Sequence, residues 1–163
     1  MGRIEGMTVK ERPGPDDVAR IIELHRGLYS KEHGFDETFV DHVEVHLSEF
    51  ADRISDREHL WTVENQGMTV GSIAVVKASE TEAQLRWLLL HPDLRGKGVG
   101  KELMGMALAF CRQKGYSKVF LWTADVLLEA AGLYRSFGFR VTEEKRHTIW
   151  GVHLAEQRYE REL

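Results

Sequence analysis

The spacing of apolar residues predicts two helices in the first third of the chain. Apolar side chains recur with helical period from about Asp17 to Tyr29, directly after two prolines that suit the start of a helix. A second amphipathic helix is predicted from about Asp36 to Arg53. Its apolar positions are Phe39, Val43, Leu47 and Phe50. Each helix is therefore expected to bury one face against the rest of the protein.

The remainder of the chain has the pattern of strands mixed with helices. Two strands joined at "NQG" are predicted by "HLWTVEN" and "MTVGSIAVVKA", and a buried third strand by "EAQLRWLLLH". A helix is expected from about Gly100 to Gly115, then a strand at "KVFLWTA", a short helix ending at Gly138, and two further strands. This order favours a single domain of the α/β (α+β) class over residues 1–163.

Composition and charge exclude several classes of protein. The 163 residues are 42% hydrophobic and 29% charged, which is typical of a folded globular domain. No apolar run approaches the roughly 18 residues of a membrane span, and the first residues lack the apolar core of a secretory signal. The net charge of −4 argues against general nucleic-acid binding. Residues 1–6 are expected to be a flexible or cloning-derived terminus.

Cysteine and histidine usage predicts neither a disulfide nor a metal site. Cys111 is the single cysteine, which indicates the cytoplasm and an unreactive structural thiol. The eight histidines are scattered, and although His42 and His46 share the spacing of one helix face, no third ligand accompanies them. We interpret this pair as part of a solvated helix face.

The candidate chemistry lies in "HPDLRGKGVGKEL", between the third predicted strand and a helix. The spacing does not match a P-loop, because Lys101 is followed by Glu102, nor a dinucleotide fingerprint, because Leu103 stands where a glycine is required. A short glycine loop before a helix directs several backbone N–H groups at one point, where the helix dipole favours an anion. The segment predicts a metal-free pyrophosphate site; a turn that only permits close packing is the alternative.

Two motifs together resemble those of the GNAT family of acyl-CoA N-acyltransferases. Arg95-x-x-Gly98-x-Gly100, after a strand and "HP", resembles motif A, and "AGLYRSFGF" resembles motif B. The resemblance covers about Leu60 to Val141. Within it, the chain is similar to bacterial GNAT domains of the kind also found fused to MarR-type regulators. It implies the GNAT fold, a mixed sheet of about six to seven strands flanked by about four helices, with a splayed central pair of strands.

The resemblance further implies acetyl-CoA as the acyl donor, bound mainly by backbone groups. Tyr134 would protonate the leaving thiolate as a general acid, and the backbone N–H of Leu90 would stabilise the oxyanion. The residues implied in cofactor binding are Leu88, Leu89, Leu90, Arg95, Gly96, Lys97, Gly98, Val99, Gly100, Lys101, Thr123 and Tyr134. Thr123 stands where many relatives have an asparagine, and it keeps a hydroxyl for the contact with pantetheine.

The general base is the point where the chain departs from the family pattern. Gln84 stands where several relatives have a glutamate, and an amide is a poor proton acceptor. Glu82, on the same face of the strand, is the candidate that would act through water; a solvated charge at the strand end is the alternative. Arg86 would favour an acidic group on the acceptor or pair with Glu82. The candidate acceptor-binding residues are Tyr29, Glu32, Gln84 and Arg86.

The implied function is transfer of an acetyl group to a primary amine, directly within a ternary complex. The acceptor would be a small molecule or a peptide, without a metal, nucleic acid or membrane as partner, and a homodimer is common in the family. Two alternatives stay open: a coenzyme A-binding sensor without catalysis, which Gln84 favours, and an interaction module whose glycines serve packing alone.

Overall fold

A computed structural model describes residues 6–163 as a mixed sheet with helices on both faces. The strands are β1 Met7–Lys10, β2 His59–Asn65, β3 Met68–Lys77, β4 Glu82–Leu90, β5 Lys118–Ala124, β6 Arg140–Ile149 and β7 Val152–Glu162. The helices are α1 Pro15–His33, α2 Glu37–Asp52, α3 Val99–Gln113 and α4 Leu128–Ser136, and a single 3₁₀ turn spans Pro92–Leu94. The strand order is β1-β2-β3-β4-β5-β7-β6, and β4–β5 is the parallel pair. The predicted fold class is confirmed.

The alternation of side chains along the strands divides the core into two layers. Trp61, Val63 and Ile73 pack on one face with the buried side of α3 and with α4. Leu60 and Ala74, which point the opposite way, pack on the other face with α1 and α2. The two predicted N-terminal helices therefore cover one side of the sheet, and the helix after the glycine loop covers the other.

The first strand is an element that the sequence pattern did not predict. β1 is four residues long, and Met7 and Val9 are its two buried side chains. Its partner is β2, with Val9 opposite Val63. An alternation of four residues is too short to predict a strand from sequence alone. Of the predicted N-terminal segment 1–6, all but Gly6 lies outside the described residues.

The central parallel pair separates part-way along its length. β4 and β5 pair only from Glu82 to Gln84, after which β4 continues to Leu90 beside β3 alone. A bulge accompanies the separation: Trp87 has φ 52°, and the hydroxyl of Ser72 donates to its carbonyl oxygen at 2.6 Å. β5 meanwhile stays paired with β7 as far as Ala124. The result is an open gap between the ends of β4 and β5, as the splayed pair requires.

None of the helices in the described part of the chain is both long and apolar enough to cross a membrane.

Candidate active site

The loop between β4 and α3 presents backbone amides that lack an acceptor. Gly98 precedes α3 with φ 78°, and it provides no side chain to cap the helix. The N–H of Glu102 donates to the carbonyl of Gly98 at 3.1 Å. Within residues 6–163, no acceptor is found for the preceding amides, those of Val99, Gly100 and Lys101. Three free N–H groups at the positive end of a helix suit a phosphate or pyrophosphate.

A cavity of about 670 Å³ lies against this loop. It runs between the last turn of α1, the end of β4 and the first turn of α4. The predicted cofactor residues that line it are Leu88, Leu89, Leu90, Arg95, Gly96, Gly98, Val99, Gly100 and Lys101. Lys97 does not line it; this residue is exposed, and its N–H donates within the loop to the carbonyl of Leu94 at 3.4 Å. Lys97 could therefore add only its positive charge to the site.

The register of β4 directs one predicted amide into the gap. The N–H of His91 donates to the carbonyl of Val70 in β3 at 2.8 Å. Because successive amides of a strand point to opposite edges, the N–H of Leu90 points away from β3, towards β5. Leu89 lies opposite Ser72, so its backbone groups belong to the pairing with β3. The N–H of Leu90 therefore takes no part in the pairing with β3.

A second cavity, of about 360 Å³, opens on the other side of the gap and meets the first. The residues that line both are Tyr29, Leu88, Leu127 and Ala130. Of the remaining predicted residues, Gln84, Arg86, Thr123 and Tyr134 line this second cavity. We call it the acceptor cavity, because it reaches the gap from the side opposite the glycine loop.

Glu82 and Glu32 are not placed as the sequence suggested. Glu82 lines neither cavity: it lies where β4 and β5 are still paired, and Arg158 donates to it at 3.5 Å. Glu82 lies on the same strand face as Gln84, but it does not reach the gap, because the gap opens only beyond Gln84. Glu32 lines the larger cavity instead of the acceptor cavity, where it is hydrogen-bonded to Arg95.

Tyr134 is buried at the end of the acceptor cavity nearest to α4. Its ring packs against those of Phe139 and Tyr159, with centroid distances of 6.3 and 5.6 Å. Burial raises the pKa of its hydroxyl above the ordinary value of 10, so the group remains protonated at neutral pH. It can therefore donate a hydrogen bond to charge that develops in the gap.

Several side chains in the acceptor cavity were missed by sequence reasoning. His42 of α2 and Glu156 of β7 both line it, as do Lys145 and Trp122. The position of His42, three residues after the apolar Phe39, was a signal that it borders the buried face of its helix. Glu156 gave no local signal, because its place depends on β7 pairing with β5 opposite Ala124.

The predicted inert role of Cys111 agrees with its surroundings. Its side chain is completely buried in the core, and burial raises the pKa of the thiol to about 12. The thiolate, which is the reactive form, is therefore absent at neutral pH. In the described part of the chain no cluster of three or more His, Cys, Asp or Glu side chains is arranged to hold a metal ion.

Comparison with known proteins identifies the family. The model of the acetyltransferase (GNAT) family matches residues 19–139. The chain belongs to the GNAT family. Its match begins inside α1 and ends after α4, so the stretch recognised as GNAT includes the glycine loop, the gap and Tyr134. The predicted family is confirmed.

Curated GNAT relatives include proteins of different length. The uncharacterized N-acetyltransferase YjgM of Escherichia coli (strain K12) is 32% identical over 137 residues, which are 82% of this chain and 78% of YjgM. Human N-acetyltransferase 8B is 34% identical over 95 residues, 55% of this chain and 42% of the human protein. The chain thus spans less than half of that human relative.

Solved structures show the same fold. A GNAT acetyltransferase from Staphylococcus aureus Mu50 has a TM-score of 0.78 at 18% identity, covering 96% of this chain and 98% of its own. The structure of yncA from Salmonella typhimurium with its cofactor acetyl-CoA has a TM-score of 0.74 at 17% identity, covering 96% and 94%.

Proposed function

We propose that this chain transfers the acetyl group of acetyl-CoA directly to a primary amine, with both substrates bound at once. The observation that supports this most is the meeting of two cavities at the gap between β4 and β5. One cavity ends at the free amides of the glycine loop, and the other contains groups able to bind an amine. A thioester that lies in the gap is reached from both sides.

The residues around the gap suit the acyl donor. The amides of Val99, Gly100 and Lys101 would bind the pyrophosphate, and Gly98 has open space where a side chain would begin. The N–H of Leu90 would donate to the thioester oxygen as negative charge develops there. Acetyl-CoA supplies an activated acyl group and a thiolate leaving group when bound.

Tyr134 would donate its hydroxyl proton towards the departing sulfur. A thiol has a pKa of about 8.5, so a hydroxyl that stays protonated can stabilise the thiolate by a hydrogen bond as the carbon–sulfur bond breaks. Its position on the wall of the acceptor cavity, close to the gap, supports this role.

His42 would take the proton from the acceptor amine. Glu156 already accepts a hydrogen bond from His147 at 2.7 Å, whereas the ring of His42 forms no hydrogen bond with another described residue. Burial, with His46 and Arg86 nearby, lowers the pKa of His42, so its ring is neutral and able to accept a proton at pH 7. His42 thereby replaces the glutamate that Gln84 does not supply.

Calorimetry with acetyl-CoA tests the donor site. Gly100→Ala would bring a methyl group to 3.1 Å from Leu133 and 3.4 Å from Leu90, and Gly98→Ala would put one at φ 78° in front of the amides. Both variants should weaken binding at least about tenfold. Gly105→Ala in the same helix has open space and should bind as the wild type does. Unchanged affinity in both loop variants would contradict the proposal.

Turnover separates the enzyme from a coenzyme A-binding sensor. Release of free thiol from acetyl-CoA is followed with a panel of amines, and the acetylated product is identified by mass. An enzyme yields one equivalent of product per thiol released. Binding of acetyl-CoA without thiol release for any amine would favour the sensor.

A further inference from the structure

Arg86 is a cation without a counter-ion on the wall of the acceptor cavity. Its guanidinium lies over the ring of Trp87, 4.4 Å from the centroid. No carboxylate among residues 6–163 forms a salt bridge with it, and the pairing with Glu82 that the sequence allowed is made by Arg158 instead. A half-buried arginine is normally paired, because losing water is costly for a charge.

The other charges of the cavity do not neutralise Arg86. The other charged side chains that line the cavity are Glu156 and Lys145, and His42, whose pKa is lowered by Arg86, lines it as well. Glu156 is engaged by His147, and Lys145 adds a second cation, 5.0 Å from the ring centroid of Trp122. The cavity therefore has positive charge available for an anionic group of its ligand and disfavours a second cationic group on the acceptor.

One end of the cavity wall is aromatic. Tyr29 stacks on Phe35 with centroids 5.7 Å apart, and Phe35 and Phe39 each contact Trp150, at 5.1 and 5.0 Å. This group of rings forms the end of the cavity beneath α1 and α2. An apolar side chain would bury its surface there. A volume of about 360 Å³ suits a small molecule of this kind.

We propose that the acceptor is a free α-amino acid with an apolar side chain, whose carboxylate is bound by Arg86. Arg86 and Leu90 both belong to β4, the strand that borders the gap, so the cation lies on the same strand as the predicted oxyanion donor. The planar guanidinium matches a carboxylate with two parallel hydrogen bonds. A polyamine or a lysine side chain would instead place a cation against Arg86.

This assignment rests on the proposed acetyl transfer, and the reaction balances without another reagent. The neutral amine nitrogen attacks the thioester carbon and forms an amide bond while the carbon–sulfur bond breaks. The amine loses a proton to His42, and the thiolate receives one from Tyr134. The proton held by His42 then returns to Tyr134 through solvent, so both side chains regain their starting forms. The products are an N-acetyl amino acid and coenzyme A.

Paired amines test the role of Arg86. L-phenylalanine is compared with phenethylamine, and L-leucine with isopentylamine, since each pair differs by the carboxylate alone. The wild type should acetylate the amino acids with kcat/KM at least about tenfold higher, the effect expected for a hydrogen-bonded charge. Arg86→Gln should bring both ratios to within about threefold of one, and Arg86→Lys should restore part of the preference. Arg112→Gln, on the exposed end of α3, should retain the full preference.

Direct binding distinguishes failure of this inference from failure of the proposed function. Calorimetry measures L-phenylalanine and L-leucine binding to the protein saturated with coenzyme A. Binding that is lost in Arg86→Gln, without turnover of any amine, would uphold the amino-acid site and reject acetyl transfer. Equal kcat/KM within each pair in the wild type, a preference that persists in Arg86→Gln, or absence of both binding and turnover with the amino acids would overturn the inference.

Discussion

The guanidinium of Arg95 donates two hydrogen bonds to the carboxylate of Glu32, at 2.8 and 2.6 Å, and so joins the glycine loop to the last turn of α1. Glu129 of α4 lies 3.6 Å from the Nε of Arg95. Two carboxylates thus offset the charge of the arginine that the motif assigns to the pyrophosphate. Arg95 cannot offer the same N–H groups to Glu32 and to a phosphate at once, so a pyrophosphate bound as proposed would compete with this pair.

Removing the competitor should strengthen cofactor binding. Glu32→Gln is expected to tighten acetyl-CoA binding by about two- to fivefold, because a partly exposed ion pair contributes about 0–1 kcal/mol. Calorimetry at low and high salt checks this, and the gain should shrink as salt screens Arg95. Glu37→Gln, which removes a surface carboxylate 3.3 Å from Arg26, is the matched control and should bind as the wild type does. Weaker binding in Glu32→Gln would show that Glu32 positions Arg95 for the phosphate.

Loss of the Tyr134 hydroxyl should slow the chemical step. Tyr134→Phe is expected to lower kcat by about 10²- to 10³-fold, as for loss of a positioned general acid, while acetyl-CoA affinity stays within about twofold. Single-turnover kinetics and calorimetry measure the two quantities. The hydroxyl of Tyr116 donates to the backbone carbonyl of Arg57 at 2.8 Å, outside both cavities, so Tyr116→Phe should retain the wild-type kcat. Full activity of Tyr134→Phe would remove the acid role.

His42 predicts a pH dependence for the acetyl transfer. Burial and the neighbouring His46 and Arg86 lower the pKa of His42 below 6.5, and the neutral ring is the active form. The value of kcat/KM should therefore fall as the pH decreases through a midpoint below 6.5. His42→Gln should reduce activity at pH 7 by about 10²-fold and abolish this acidic limb. His153→Gln should leave the limb in place; an unchanged limb in His42→Gln would assign it to another group.

His25 predicts a loss of stability in acid. This buried residue donates through Nδ1 to the carbonyl of Ile21 at 2.8 Å, and burial lowers its pKa from 6.5 to about 4. The unfolded chain therefore binds the proton more readily, so stability is complete above pH 6.5 and declines as the pH falls towards 4. The loss from this one group is about 3 kcal/mol.

Urea unfolding at pH 7, 5 and 4 measures that decline. In His25→Gln the difference in unfolding free energy between pH 7 and pH 4 should be smaller by about 3 kcal/mol, although the variant is less stable at pH 7 because ring packing is lost. Circular dichroism at pH 7 verifies that the variant folds. The same pH dependence in both proteins would place the acid sensitivity elsewhere.

Local sequence was sufficient to predict those features whose geometry is formed by consecutive residues. The amides of the glycine loop converge because Gly98 adopts φ 78° and a helix follows at once, and both facts are local. The long helices α1 and α2 were predicted within a few residues of their ends because their apolar period is sustained over several turns. Tyr134 was likewise found from its own short motif.

The partners of charged residues depended on the sheet. The sequence did not distinguish Arg86 from Arg158 as the partner of Glu82. The antiparallel register of β5 and β7 places Arg158 opposite Trp122 and close to Glu82. Among residues 6–163, no carboxylate forms a salt bridge with Arg86. Glu32 and Arg95 are 63 positions apart, and only the packing of α1 over the end of β4 brings them together.

The sequence by itself determined the family and predicted the anion-binding loop and the candidate acid, because backbone direction and motif spacing are set by neighbours along the chain. Tertiary structure alone decided that Glu82 lies outside the cavities and that His42 and Glu156 share the acceptor cavity. It also decided that Arg86 has no carboxylate partner in the described part of the chain. The physical reason is that an electrostatic partner is chosen by distance in space. Those distances are set by the point at which β4 separates from β5 and by the register in which β7 pairs with β5. Neither can be predicted from a short stretch of residues.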